Sequence, residues 1–153
     1  MASLIQWHCH DFNGFTPETL YQALALRDRV FVVEQRSIYG DIDGRDPDCR
    51  HLAGYAGDGR LVAYARILAP GVAYPDAAAL GRLVVDPSLR GQGVGRQLLA
   101  RALEEAARLH PGPVMLSAQT RASGFYASFG FVPVGEPYDD GGIEHIDMRK
   151  EAD

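Results

Sequence analysis

Residues Val84 to Leu99 read VVDPSLRGQGVGRQLL, and the centre of the stretch, Arg90 to Gly95, alternates three glycines in six residues behind an arginine. Upstream, Ala79 to Asp86 (ALGRLVVD) has the residues of a strand, and it stops at Asp86-Pro87 because proline cannot extend a ladder. Downstream, Val94, Leu98, Leu99, Ala102, Leu103 and Ala106 keep one face of a helix apolar, while Arg96, Arg101, Glu104, Glu105 and Arg108 fall mostly elsewhere. Glycine weakens strand and helix alike, so three of them at this junction suggest close approach to the backbone. The first N–H groups of a helix have no internal partner and carry partial positive charge. Glycines let a phosphate reach them. Two readings stand on the glycines alone: a cradle for a phosphate or pyrophosphate with Arg90 beside it, or a turn that only packs the helix tightly on the sheet. A P-loop would need Gly-Lys-Ser/Thr, and a dinucleotide fold would need Gly-x-Gly-x-x-Gly; neither is present.

Working outward, the chain alternates helical and strand patterns. Ser3–His10 reads as a first strand. Thr16 caps a helix that Pro17 opens, and Leu20, Leu24, Arg27, Val30 and Phe31 recur at helical spacing towards Gln35. Residues 51–68 split at Gly57-Asp58-Gly59 into a hairpin. His110–Pro113 ends the long helix, Val114–Gln119 is a short apolar strand, and Arg121–Phe129 is a short helix stopped at Gly130. Phe131–Tyr138 and Ile143–Lys150 close the chain around Asp139-Asp140-Gly141-Gly142. The order β-α-β-β-β-α-β-α-β-β predicts an α/β (α+β) fold, a mixed sheet with helices on its faces.

At 153 residues, with 46% hydrophobic and 23% charged residues, the chain suits one compact soluble domain, residues 1–153. Fifteen basic against 20 acidic residues leave a formal charge of −5, which argues against a nucleic-acid partner. Cys9 and Cys49 have no CxxC spacing and read as free thiols. No apolar run suits a membrane helix, and MASLIQWHCHDF lacks a basic region followed by an apolar one, so no signal peptide is expected and the cytoplasm is. Asp41, Asp43, Asp46 and Asp48 do not follow calcium-loop spacing and read as a solvated acidic loop able to steer a cation.

The quoted stretch resembles the cofactor motif of the GNAT superfamily of N-acetyltransferases, Arg/Gln-x-x-Gly-x-Gly/Ala, filled here by Arg90, Gly93 and Gly95. A second signature of that superfamily, a tyrosine shortly before Gly-Phe, is matched by Tyr126 and Gly130-Phe131, with Gln119 where asparagine is common. Nearly the whole chain is similar to the ElaA family within it. Near the end, Asp140 keeps an acid, Gly141 replaces an aspartate, Glu144 replaces a proline, and His145 is retained.

The resemblance implies a GNAT-type mixed, mostly antiparallel central sheet of seven strands flanked by helices and splayed between the fourth and fifth. It implies acetyl-CoA as co-substrate without a metal, and direct attack in a ternary complex by a primary amine of a small molecule or peptide. The pyrophosphate would lie on Arg90, Gly91, Gln92, Gly93, Val94, Gly95 and Arg96. The pantetheine would run beside Leu83, Val84 and Val85, with Gln119 nearby and a backbone N–H near Val85 at the thioester carbonyl. Tyr126 is the candidate general acid for the leaving thiolate; packing under the cofactor is the plainer role. An alkylammonium has a pKa of about 10, so a base is needed. Glu34 ranks first, on the expectation of partial burial, against a simple pairing with Arg27 or Arg66. His51 and His145 follow, against roles as a strand histidine and a hairpin fastener. A homodimer is left open. The alternative is a catalytically silent acyl-CoA-binding or sensing module.

Overall fold

The computed structural model describes residues 4–153. Its strands are β1 (Gln6–Asp11), β2 (Arg50–Tyr55), β3 (Leu61–Leu68), β4 (Ala78–Val85), β5 (Val114–Gln119), β6 (Val132–Asp140) and β7 (Ile143–Lys150). The helices are α1 (Pro17–Arg27), α2 (Val94–Leu109) and α3 (Ser123–Ala127). The seven strands form one sheet in the order β1-β2-β3-β4-β5-β7-β6. Neighbours are antiparallel except β4 and β5, which are parallel. The element order expected from the sequence is the one observed. The first strand begins at Gln6; Ser3, where it was expected to start, lies outside the described residues.

Helices on both faces bury the sheet. The apolar stripe of α2 (Val94, Leu98, Leu99, Ala102, Ala106) packs on Leu52, Ala65, Ile67, Leu80, Leu116 and Met148. On the other face Ala23, Leu26 and Val30 meet Ala53, Leu61, Tyr64 and Val84. All eight residues of β3 are buried, as expected of a strand covered on both sides. No helix among the described residues is long and apolar enough to cross a membrane.

The first helix departs from its sequence pattern. Thr16 caps it, with Thr19 in a reciprocal pair of bonds and Pro17 in the first turn, but regular α-helix ends at Arg27. Asp28–Glu34 continues as a wider π-helix, with Gln35 N–H bonded to the Val30 carbonyl five residues back. The β-branched residues Val30, Val32 and Val33 crowd a regular α turn, and π turns concentrate at functional sites.

The largest correction concerns residues 41–48. They are not a solvated acidic loop. Asp41 and Asp46 are buried against Arg27, at 2.7 and 2.9 Å. Asp46 also binds Arg66 at 2.9 Å, Asp43 pairs with Arg66, and Asp41 holds Arg82 at 2.7 Å. Three arginines from α1, β3 and β4 thus neutralise three aspartates; Asp48 stays exposed. Burial alone would raise the Asp46 carboxyl, but hydrogen bonds and charge from Arg27 and Arg66 hold it below the usual range.

His51, in β2, belongs to this buried layer. Its Nδ1 meets the Tyr64 hydroxyl at 2.5 Å and its Nε2 meets the Asp46 carbonyl at 2.9 Å. Burial lowers its pKa to about 4. The unfolded chain, at about 6.5, therefore takes up the proton first. Stability from the neutral ring is full above about pH 6.5 and falls as pH drops towards about 4, where the folded state also protonates. Denaturant unfolding between pH 7 and 4 should show this loss, and His51→Gln should flatten the slope.

Candidate active site

The parallel pair explains how a cleft opens. β4 and β5 are paired only at Ala78↔Val114 and Ala79↔Met115. From Leu80 onward β4 has no partner on that side. A cavity of about 530 Å³ occupies the wedge, lined by Leu80–Val85 on one side and by Leu116, Ser117, Gln119, Tyr126 and His145 on the other. Val30, Phe31, Gln35, Arg90 and much of the segment from Ser37 to Asp43 also line it, with Ala122, Asp140 and Ile143 completing the wall.

A bulge shapes the β4 wall. Tyr64 pairs with Val84 and Arg66 with Gly81, so Arg82 and Leu83 stand opposite the single residue Ala65. Arg82 takes a left-handed φ of +53°, which costs a non-glycine residue roughly 1–2 kcal/mol. Its guanidinium is tied to the Asp41 carboxylate and donates to the Asp41 carbonyl at 2.9 Å, which offsets that strain. Beyond the bulge the ladder sets the direction of each amide. Asp86 N–H bonds the Val62 carbonyl at 2.7 Å. Bonded and non-bonded pairs alternate, so at the next pair, Ala63↔Val85, the Val85 N–H and C=O face away from β3 and into the cleft.

Arg90, which opens the glycine turn, also lines the cleft. Gly91 and Gly93 have φ of +79° and +81°, and a Cβ on either would meet nothing within 4 Å. Gly95 is different: its Cβ would touch only Phe125, at 3.9 Å. Gly93 caps α2 without a side-chain acceptor, and the first helical bond is Gln97 N–H to the Gly93 carbonyl. The N–H groups of Val94, Gly95 and Arg96 therefore lack intrahelical partners at an open turn, a donor set that fits a phosphate. Val94 itself points into the core. Arg96 lies over Phe129 at 4.6 Å and donates to Ser128 at 3.2 Å, while Gln92 turns back on the Ser88 carbonyl.

Of the other expected residues, Tyr126 and His145 line the cleft, and Glu34 and His51 do not. The Tyr126 ring is held edge-on by Phe125 and Phe131. Its hydroxyl makes no hydrogen bond among the described residues, and burial raises its pKa. Gln119 donates to Gln35 at 2.8 Å and accepts from Arg121 at 3.0 Å, which fastens β5 to the end of the π-helix. Glu34 is exposed, with 42% of its side chain open to solvent, and pairs with Arg90 at 2.7 Å rather than with Arg27 or Arg66. His51 sits in the core with both ring nitrogens engaged. In His145, Nδ1 donates to the Ile143 carbonyl at 2.7 Å, so the neutral ring leaves Nε2 with a free lone pair. Gly141, where the ElaA pattern has aspartate, has its own reason. Its φ is +64°, and a Cβ there would come within 2.9 Å of Ser37 Oγ, because the cleft wall closes on this turn.

A seven-stranded sheet opened at a parallel pair, with a glycine-rich helix start following the fourth strand, is the architecture of a GNAT acyltransferase. The chain matches the acetyltransferase (GNAT) domain over residues 16–152 and belongs to that family as an ElaA-like member. It is 44% identical to protein ElaA of Escherichia coli over 152 residues, covering 97% of this chain and 98% of that one. The crystal structure of E. coli ElaA superposes with a TM-score of 0.88 at 43% identity, covering 97% and 100% of the two chains. An acyl-CoA N-acyltransferase from Pseudomonas aeruginosa gives 0.89 at 43% identity, covering 96% and 99%.

Proposed function

We propose that the protein, working as one domain in the cytoplasm and without a metal, transfers an acetyl group from acetyl-CoA to a primary amine by direct attack in a ternary complex. One observation carries this reading: the cleft at the splay of β4 is lined by Val85, whose amide faces into it, and by Arg90, the residue that opens the glycine turn leading to the unpartnered N–H groups of α2. A pyrophosphate on the turn would leave the pantetheine arm to fill the missing strand position beside Leu83–Val85. In this reading the Val85 N–H stabilises the oxyanion formed by amine attack, and Tyr126 protonates the departing thiolate. The test is release of free CoA thiol from acetyl-CoA with a panel of amines. Binding of acetyl-CoA without thiol release would instead support the acyl-CoA-binding module.

For the base, the free Nε2 of His145 in the cleft supports His145 over Glu34, which does not line the cleft and whose carboxylate is engaged by Arg90. His145→Gln should lower kcat/KM for amines roughly 10- to 100-fold at neutral pH, with part of the loss recovered at high pH as free amine becomes available. Glu34→Gln should leave the pH–rate profile unchanged. The reverse pattern would return the role to Glu34.

A further inference from the structure

We propose that Ser117, Tyr138 and Asp147 form a subsite that receives the acceptor as a protonated alkylamine. The proposal rests on the amine-transfer reading above and adds the charge state in which the acceptor is recognised.

The three residues come from three adjacent strands on the face of the sheet opposite α2. Ser117 of β5 stands beside Asp147 of β7 in the ladder, and Tyr138 of β6 reaches both. Tyr138 lies within 2.6 Å of Asp147 Oδ1, Tyr74 reaches the same oxygen at 3.3 Å, and Ser117 Oγ meets the Tyr138 hydroxyl. Donor counting fixes the direction of the chain. An ionised carboxylate only accepts, so the single phenolic hydrogen of Tyr138 is committed to Asp147. Ser117 must then donate its own hydrogen to Tyr138. Its Oγ is left with lone pairs only, and Ser117 lines the cleft. The cleft thus presents an acceptor backed through Tyr138 by a carboxylate, whose Oδ2 makes no hydrogen bond among the described residues. Such a group favours an N–H donor carrying positive charge.

The surrounding charges agree. Arg149, next on the same face of β7, is engaged by Glu151 at 2.7 Å and Asp76 at 3.4 Å. Arg82, across the cleft, is engaged by Asp41 and Asp43. His145 stacks on Tyr138 from the same strand as Asp147, and Asp140 on β6 adds negative charge. Burial and the Asp147 bond push Tyr138 up to about 12, and burial raises Tyr74 as well, so both phenols remain neutral donors at physiological pH.

The test compares primary alkylamines, charged at pH 7, with aniline, neutral at pH 7, as acceptors for acetyl-CoA. Asp147→Asn and Ser117→Ala should each raise KM for alkylamines by about 10- to 100-fold, the loss of a charge-assisted hydrogen bond. The loss should be smaller with aniline, whose neutral N–H makes only an ordinary hydrogen bond, and Ser117→Thr, which keeps the hydroxyl, should restore alkylamine KM. An unchanged alkylamine KM in Ser117→Ala, or an equal loss with aniline, overturns the subsite. Ser117→Ala decides the matter should Asp147→Asn fail to fold. Wild-type protein that releases no CoA with any amine overturns the amine-transfer reading and the subsite with it; wild-type turnover with unaffected variants overturns the subsite alone.

Discussion

Gly93→Asp should abolish acetyl-CoA binding while leaving the fold intact. Gly93 is the cap residue of α2, its φ is +81°, and nothing lies within 4 Å of an added Cβ. Aspartate is among the residues that best tolerate this backbone region, so the structural cost is small. The effect on binding is large for two reasons. The new carboxylate repels a pyrophosphate at the turn, and it can itself accept from the free N–H groups of α2, as aspartate does at helix caps. The variant would fill its anion site from within. Wild-type protein with acetyl-CoA at 100 times Kd should gain about 2.7 kcal/mol of stability. The variant should gain nothing and melt near the temperature of the ligand-free wild type. Undiminished binding of acetyl-CoA to the variant by titration calorimetry would remove the glycine turn from the cofactor site.

Tyr126→Phe tests the chemistry rather than the binding. The ring is packed by Phe125 and Phe131, contacts that phenylalanine keeps, and the hydroxyl has no partner to lose. Burial raises the pKa of Tyr126, so it is protonated throughout the neutral range and has a proton to give. If it protonates the departing CoA thiolate, kcat should fall by roughly 10- to 10⁴-fold with acetyl-CoA affinity preserved. A kcat equal to wild type, measured where chemistry limits the rate, assigns Tyr126 to packing alone.

What could be read beforehand was what is local in sequence. The α2 stripe, the Asp86-Pro87 stop, the glycine turn and the two hairpins each announce themselves within a few residues, and each is found where the pattern puts it. The buried charges do not work that way. Asp46 looks solvated among Asp41, Asp43 and Asp48 because its partners Arg27 and Arg66 lie 19 and 20 residues away. His51 lies between Arg50 and Leu52 as a cleft-facing histidine could, and only the folded sheet brings its ring to the Tyr64 hydroxyl and the Asp46 carbonyl. Glu34 sits between valines and a glutamine, but the widened helix turns it outward to Arg90. Tyr138 gave no signal, and Ser117 gave only its spacing: each is an ordinary strand residue until β5, β7 and β6 are laid side by side. Within the sequence, Ser117-x-Gln119 and His145-x-Asp147 do carry the period-two spacing of one sheet face, and that was the one clue to find.

The segment from Ser37 to Asp46 divides its labour residue by residue. Asp41, Asp43 and Asp46 are bolted to arginines, whereas Ile38, Tyr39 and Ile42 in the same segment project into solvent at the cleft. The bolts hold the wall's path; the projecting side chains carry none of that burden. Substitutions at 38, 39 and 42 can therefore change what the wall touches without moving the wall. A lineage of such proteins could exchange one acceptor for another by altering these three positions while the donor-binding half of the molecule stays as it is.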